Sequence, residues 1–64
     1  MWKIRILEWE SLYVSESVVT LPEIVEVDRL DPELVSIAAE EAATVDINNF
    51  GGEIGITVTE WEVV

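Results

Sequence analysis

The sequence predicts an α+β fold, in which a small antiparallel β-sheet packs with one or two helices in a single domain. Valine, isoleucine and threonine account for 21 of the 64 residues, a composition that favours half-buried strands. A clear helix start lies at Asp31-Pro32. Because so short a chain has material for one hydrophobic core, residues 1–64 are expected to form one domain.

Two strands are predicted before Pro22. Residues 1–10 alternate, with Trp2, Ile4 and Ile6 on one face. The apolar side inverts at Leu7, which indicates a β-bulge or a crossover between two packed surfaces. Residues 12–20 are rich in β-branched side chains and are predicted as the second strand. Pro22 ends that strand, because proline has no N–H for the ladder.

Residues 23–30 fit two patterns. The spacing of the apolar residues fits a short helix begun by Pro22. The alternation of Val25 and Val27 with acidic residues fits a strand instead. We predict a helical turn.

The next segment begins with three residues typical of a helix N-terminus. Asp31 is the expected cap, Pro32 takes the first helical position, and Glu33 complements the helix dipole. The helix is predicted to run to about residue 43. Its core side is predicted to hold Leu34, Val35, Ala38, Ala39 and Ala42, and its solvent side Glu33, Ser36, Glu40 and Thr44.

The C-terminal part is predicted to form a hairpin of residues 45–50 and 53–64. Asparagine and glycine between them supply the backbone conformations that tight turns require. The last strand changes its apolar side before Trp61, as the first strand does at Leu7. We therefore predict that the first and last strands are neighbours.

Charge is the strongest functional signal. Fourteen Asp and Glu residues stand against three Lys and Arg, a formal net charge of -11. This balance disfavours nucleic acids and anionic membranes as direct partners and favours a basic protein surface. There is no cysteine, no apolar run long enough to span a bilayer, and no signal-peptide pattern at the N-terminus. We expect a soluble, cytoplasmic protein.

The usual catalytic and metal-binding side chains are absent. The chain has no His and no Cys, so we expect no enzyme activity, no metal and no cofactor. Residues 46–51 begin like a calcium-binding loop, but Thr57 stands where the bidentate glutamate belongs. Trp2, Trp9 and Trp61 are interpreted as packing residues rather than a stacking platform.

The acidic residues allow a simple and a functional interpretation. Exposed glutamates keep a surface solvated, but this density of charge also destabilises a compact chain through self-repulsion. Glu8 with Glu10, and Glu60 with Glu62, would lie roughly 6 to 7 Å apart along their strands. Rows at that spacing can stand in for the phosphates of a DNA strand.

One segment, residues 16–27, carries a specific resemblance. Its Glu16-Ser17 pair opens an apolar stretch that ends in Leu21-Pro22-Glu23 and leads into acidic residues. In this respect it resembles the phage uracil-DNA glycosylase inhibitor family. The resemblance implies a DNA mimic, in which a strand lies in the DNA groove of this base-excision-repair enzyme and an apolar cavity takes the enzyme's wedge residue.

The resemblance also implies site residues. Glu16 would lie nearest the enzyme's active site, on an exposed edge strand, while Thr20 and Val25 would line the cavity. The family has a larger apolar residue at the position of Thr20 and acids at those of Ile24 and Val27. Asp28, Asp31 or the helix glutamates are expected to substitute for these acids. The predicted partner-binding residues are Glu16, Ser17, Val18, Val19, Thr20, Leu21, Pro22, Glu23, Val25, Glu26 and Asp28.

Three functions follow from these observations. The first is inhibition of uracil-DNA glycosylase by a monomer that forms a 1:1 complex. The second is mimicry of DNA toward another protein, such as a nuclease, a restriction system or a histone-like protein. The third is an acidic structural or assembly module that pairs through an exposed sheet edge.

Overall fold

The computed structural model describes residues 1–46 and 52–64. Among these residues, one α-helix, α1 (Pro32–Ala42), and one 3-10 helix (Glu16–Val18) accompany five strands. The strands are β1 (Trp2–Ser11), β2 (Val19–Thr20), β3 (Ile24–Val27), β4 (Thr44–Val45) and β5 (Ile56–Val63). Each of their pairings is antiparallel, which confirms the predicted α+β class.

The main sheet has the order β3-β1-β5, with β1 in the centre. Ile4 of β1 lies opposite Val25 of β3 on one side and Val63 of β5 on the other. The predicted pairing of the first and last strands is therefore confirmed. The pairing skips Leu7 in β1 and Thr59 in β5, so two bulges account for the inverted apolar sides.

The core lies between this sheet and α1. Ile4 and Val35 are fully buried, and Ala39 lies one helical turn beyond Val35 on the same face. The remaining buried apolar residues are Val19, Val25, Val27, Ile54, Ile56 and Val58. Trp9 and Trp61 pack against this core, whereas Trp2 is 46% exposed.

The helix begins as predicted. The Glu33 N–H donates to Asp31 Oδ1 at 2.9 Å, and Pro32 occupies the first turn. The predicted solvent side is wrong at Ser36 and Glu40, which lie against β5 and accept hydrogen bonds from its backbone. The predicted core position of Ala42 is also wrong, because that residue is exposed near the end of the helix.

The second predicted strand is wrong over most of its length. Ser15 Oγ accepts a hydrogen bond from the Ser17 N–H at 3.3 Å and caps the 3-10 helix in the middle of residues 12–20. Serine competes with strand ladders through such local bonds. Within residues 12–20, strand structure is confined to Val19 and Thr20, while the Leu12 and Tyr13 N–H groups donate to the Gly55 and Ile54 carbonyls.

Residues 24–27 form strand β3, so the predicted helical turn in residues 23–30 is wrong. Pairing with β1 buries Val25 and Val27, and tertiary burial here decides between two patterns that the sequence left open. The predicted hairpin of residues 45–50 with 53–64 is not found at Val45, which pairs with Val19 of β2 rather than with β5. Residues 47–50 of its first strand, and residues 48–51 of its turn at 48–52, lie outside the described residues.

Gly55 precedes β5 with φ at 70°, a conformation that side-chain-bearing residues rarely adopt. A Cβ placed there would lie 2.8 Å from Tyr13 Cδ2 and 2.9 Å from Leu12 Cβ. We expect Gly55→Ala to lower the free energy of unfolding by about 1 to 3 kcal/mol, measured by urea denaturation. Glu53→Ala, an exposed change two residues earlier, should stay within about 0.5 kcal/mol, and equal effects would contradict the assignment of strain.

No helix in residues 1–46 or 52–64 has both the length and the apolar character that crossing a bilayer requires.

Candidate functional site: an acidic groove beside β1

A shallow groove of about 590 Å³ lies along the second half of β1. It combines three carboxylates with two apolar side chains and a threonine. We call it the acidic groove, and its lining residues are Leu7, Glu8, Trp9, Glu10, Glu16 and Thr59. Leu7 is 45% exposed and Trp9 is half-buried, so apolar surface lies directly beside the carboxylates.

The two bulges shape this groove. The skipped residues, Leu7 and Thr59, both line it. Between the bulges, Glu8 lies directly opposite Glu60. Like charges in a directly opposed pair destabilise a sheet, and bulges are common where a side chain is re-aimed toward a functional site. Folding alone gives no reason to place two carboxylates there.

The groove also borders an open strand edge. β3 pairs with β1 only at residues 2–5, with one further bond from the Ile6 N–H to the Glu23 carbonyl. From Leu7 to Ser11, β1 is paired with β5 on one side and with no described strand on the other. The exposed edge strand predicted at Glu16, within residues 12–20, is wrong, because Glu16 lies in the 3-10 helix; the open edge beside it belongs to β1.

Glu16 reaches the groove from a rigid turn. It is the first residue of the 3-10 helix, whose N-terminus is held by the Ser15 side chain. The Ser15 and Ser17 hydroxyls also bond to each other at 2.8 Å. Both serines therefore have a local structural role, and Glu16 between them remains exposed to solvent.

The ion pairs of the described residues do not involve the groove carboxylates. Arg5 Nη1 lies 2.9 Å from Glu62 Oε1, and its Nε lies 3.4 Å from Glu23 Oε1 without forming a hydrogen bond. These are the ion pairs within residues 1–46 and 52–64. Glu8, Glu10 and Glu16 are thus left without a charge partner in that part of the chain.

The predicted site residues do not lie together. Glu16, Ser17 and Val18 form the 3-10 helix, and only Glu16 of these lines the acidic groove. Val19 and Val25 are 7% and 6% exposed and belong to the core, so in the free protein they offer little surface for contact.

Thr20 and Val25, which were predicted to line a cavity, line neither the acidic groove nor the two grooves next to α1. Val25 faces the core from β3, whereas Thr20 is exposed on β2. Leu21 and Pro22 are half-buried in the connection between these strands. Leu7 and Trp9 supply the apolar surface that lines the acidic groove together with Glu16.

The remaining predicted acids are exposed and lie on or next to β3, the neighbour of β1, but they do not line the acidic groove. Glu23 pairs with Arg5, while Glu26 and Asp28 line a second groove next to α1. The sequence singled out Glu8 and Glu10 as a charged row, but it did not indicate that Leu7, Trp9 and Thr59 would join them. The sequence signal for this part of the groove was the inversion of the apolar side at Leu7, which indicated a bulge there.

The described residues contain no group of three His, Cys, Asp or Glu side chains close enough to hold a metal ion. The groove carboxylates thus form a dispersed charged surface beside exposed apolar side chains. Such a surface is suited to contact with a basic macromolecule. Comparisons of the chain with protein-family models, curated proteins and solved structures found no match.

Proposed function

We propose that this chain is a non-catalytic, monomeric inhibitor that mimics DNA and places its acidic groove in the DNA-binding groove of uracil-DNA glycosylase. The observation that carries the proposal is the set of uncompensated carboxylates at Glu8, Glu10 and Glu16 beside exposed Leu7. The resemblance of residues 16–27 to the inhibitor family directs the proposal to this target.

The carboxylates supply the phosphate-like part of the surface. Glu8 and Glu10 are two residues apart on β1, which separates their Cα atoms by roughly 6 to 7 Å. Glu60, opposite Glu8, widens the negative surface across the sheet. A basic groove that has evolved to hold two rows of phosphates would attract this pattern.

The apolar part of the groove supplies hydrophobic contact, which the carboxylates cannot provide. Leu7 and Trp9 lie between and beside the carboxylates, and their burial would add about 25 cal/mol for each Å² removed from water. In the inhibitor family an apolar cavity receives the enzyme's wedge residue. We assign that part here to Leu7 and Trp9 instead of Thr20 and Val25.

An assay of uracil release tests the proposal. The purified protein is added in increasing amounts to a uracil-DNA glycosylase acting on a labelled, uracil-containing oligonucleotide. We expect activity to fall to zero at about one equivalent, as for a tight 1:1 complex. Full activity at a large molar excess would overturn the choice of target.

Salt dependence is a second expected property of the complex. Raising ionic strength should weaken binding, because the screening length falls from about 8 Å at physiological salt to about 3 Å at 1 M. The slope of log affinity against log salt should be shallower than for the enzyme's DNA, since a folded protein carries no comparable layer of condensed counterions. Titrations at several salt concentrations measure both slopes. Affinity that rises with salt would contradict mimicry.

Another DNA-binding protein is the alternative target. It is favoured because, of the residues by which the resemblance points to a glycosylase, only Glu16 lines the acidic groove. The acidic groove itself suits any basic DNA-binding surface, including that of a nuclease, a restriction enzyme or a histone-like protein. Either target implies action in the cytoplasm, and in that of the host if the chain is phage-encoded.

A further inference from the structure

β3 forms an edge of the main sheet, and its outer side is open. The Ile6 N–H donates to the Glu23 carbonyl, so alternate residues along β3 direct their backbone groups toward β1. The N–H and C=O groups of Ile24 and Glu26 therefore point away from β1. Within residues 1–46 and 52–64, no hydrogen bond uses these four groups.

The opposite edge of the sheet is covered. The Val58 N–H donates to Ser36 Oγ and the Ile56 N–H to Glu40 Oε1, each at 2.9 Å. Two side chains of α1 thus occupy donors on the outer side of β5. Open edges invite pairing with other chains, and proteins commonly block them. Here the fold blocks the edge at β5 and leaves the one at β3 available.

A groove of about 230 Å³ lies next to the open edge, between the end of β3 and α1. Its apolar lining includes Met1, which is 80% exposed, and Ile37, which is 47% exposed. Three acids lie among its lining residues. The full lining is Met1, Glu26, Val27, Asp28, Leu34, Ile37, Ala38 and Glu41.

We propose that β3 and this groove bind an extended basic segment of a partner protein as an added strand. Backbone bonds to Ile24 and Glu26 would hold the segment, and its alternate side chains would point to opposite faces. Apolar side chains on the helix side enter the groove. Lysine or arginine side chains pair with Glu26, Asp28 and Glu41.

Charge selects a basic partner over a second copy of this chain. Two β3 strands side by side would bring Glu26 and its neighbours Glu23 and Asp28 against the same acids of the other copy. Directly opposed like charges destabilise a sheet, and the net charge of -11 adds general repulsion. A segment that alternates apolar and basic residues can bond to the open backbone groups of β3, place its apolar side chains in the groove and pair its basic side chains with the acids. This surface is separate from the acidic groove and does not depend on the glycosylase.

An eight-residue peptide of alternating valine and lysine is the probe. We expect it to bind with slowed hydrogen exchange of the Ile24 and Glu26 amides, followed by NMR. Its fully N-methylated counterpart keeps side chains and charge but has no backbone donor, and it should bind at least about tenfold more weakly. Equal binding of the two peptides, or protection confined to residues 7–16, would overturn the proposal.

Two variants separate the backbone from the charge. Ile24→Pro removes an N–H that points away from β1 and leaves the hydrogen bonds to β1 in place. Edge strands tolerate proline at such a position. The variant should bind the peptide about tenfold more weakly. Glu26→Gln keeps the backbone and should give a smaller loss that disappears at high salt. Unchanged binding by Ile24→Pro would contradict strand addition. If that variant fails to fold, the hydrogen exchange of the Ile24 and Glu26 amides in the unaltered protein tests strand addition in its place. Dimerisation through β3, detected by sedimentation, would identify a second copy as the occupant.

Discussion

Glu16→Lys is expected to weaken binding to a uracil-DNA glycosylase by about 2 to 5 kcal/mol, the range found when one partner of a buried charge pair is removed. Glu16 is exposed in the free protein and lies at the start of a capped turn, so the variant should fold normally. In the complex it would be enclosed by basic and polar groups of the enzyme. A lysine would also pair with Glu8 or Glu10 and neutralise part of the acidic groove. Calorimetric titration measures the loss.

Glu53→Lys is the matched control for this charge reversal. Glu53 is exposed and lines none of the described grooves, yet its reversal changes the net charge by the same amount. We expect it to lower mainly the association rate, with a far smaller loss of affinity. Small and equal effects of both reversals would show that the charge acts as a diffuse field. Contact through the acidic groove would then be wrong.

Ile4→Ala is expected to lower the free energy of unfolding by about 2 to 5 kcal/mol. Ile4 is fully buried in the central strand and lies opposite Val25 and Val63. A domain of 64 residues has a total stability of about 3 to 10 kcal/mol, at about 0.05 to 0.15 kcal/mol per residue. The variant should therefore be marginally stable or largely unfolded at room temperature. Urea denaturation followed by tryptophan fluorescence measures the change.

Ile37→Ala removes the same atoms from a residue that is 47% exposed on α1. Its effect on unfolding should stay within about 0.5 kcal/mol, since little packing is lost and alanine favours the helix. A comparable loss of stability in the two variants would mean that the core is not centred on Ile4. The pair thus tests the arrangement of β1 between β3 and β5.

The parts of the fold that the sequence predicted are those with strong local signals. The alternation of residues 1–10 and the cap at Asp31 each act within their own segment, and both are confirmed. The matching inversions at Leu7 and before Trp61 even revealed a long-range pairing. In each of these cases the local sequence pattern agreed with the tertiary structure.

The errors arose where tertiary contacts or a local cap decided. Val25 and Val27 are buried by pairing with β1, a gain that the pattern of residues 23–30 could not show. Ser15 closes a 3-10 turn inside a stretch of strand-forming residues. Glu40 is polar and lies at a helix position expected to face solvent, but it accepts a bond from β5.

The candidate site was predicted in part. The exposure of Glu16 and the charged row of Glu8 and Glu10 were readable from the sequence. Their assembly with Leu7 and Thr59 was not, because it depends on two bulges meeting across β1 and β5. The resemblance of residues 16–27 to the inhibitor family also did not indicate which of these side chains are buried in this fold.

Displacement of DNA tests the central claim most directly. A fluorescent oligonucleotide is bound to a catalytically inactive uracil-DNA glycosylase, and its anisotropy is followed as this protein is added. Mimicry predicts that the anisotropy falls to that of free DNA at about one equivalent of protein, because the two ligands compete for one groove. Anisotropy that stays constant or rises, as in a ternary complex with DNA still bound, would contradict the account.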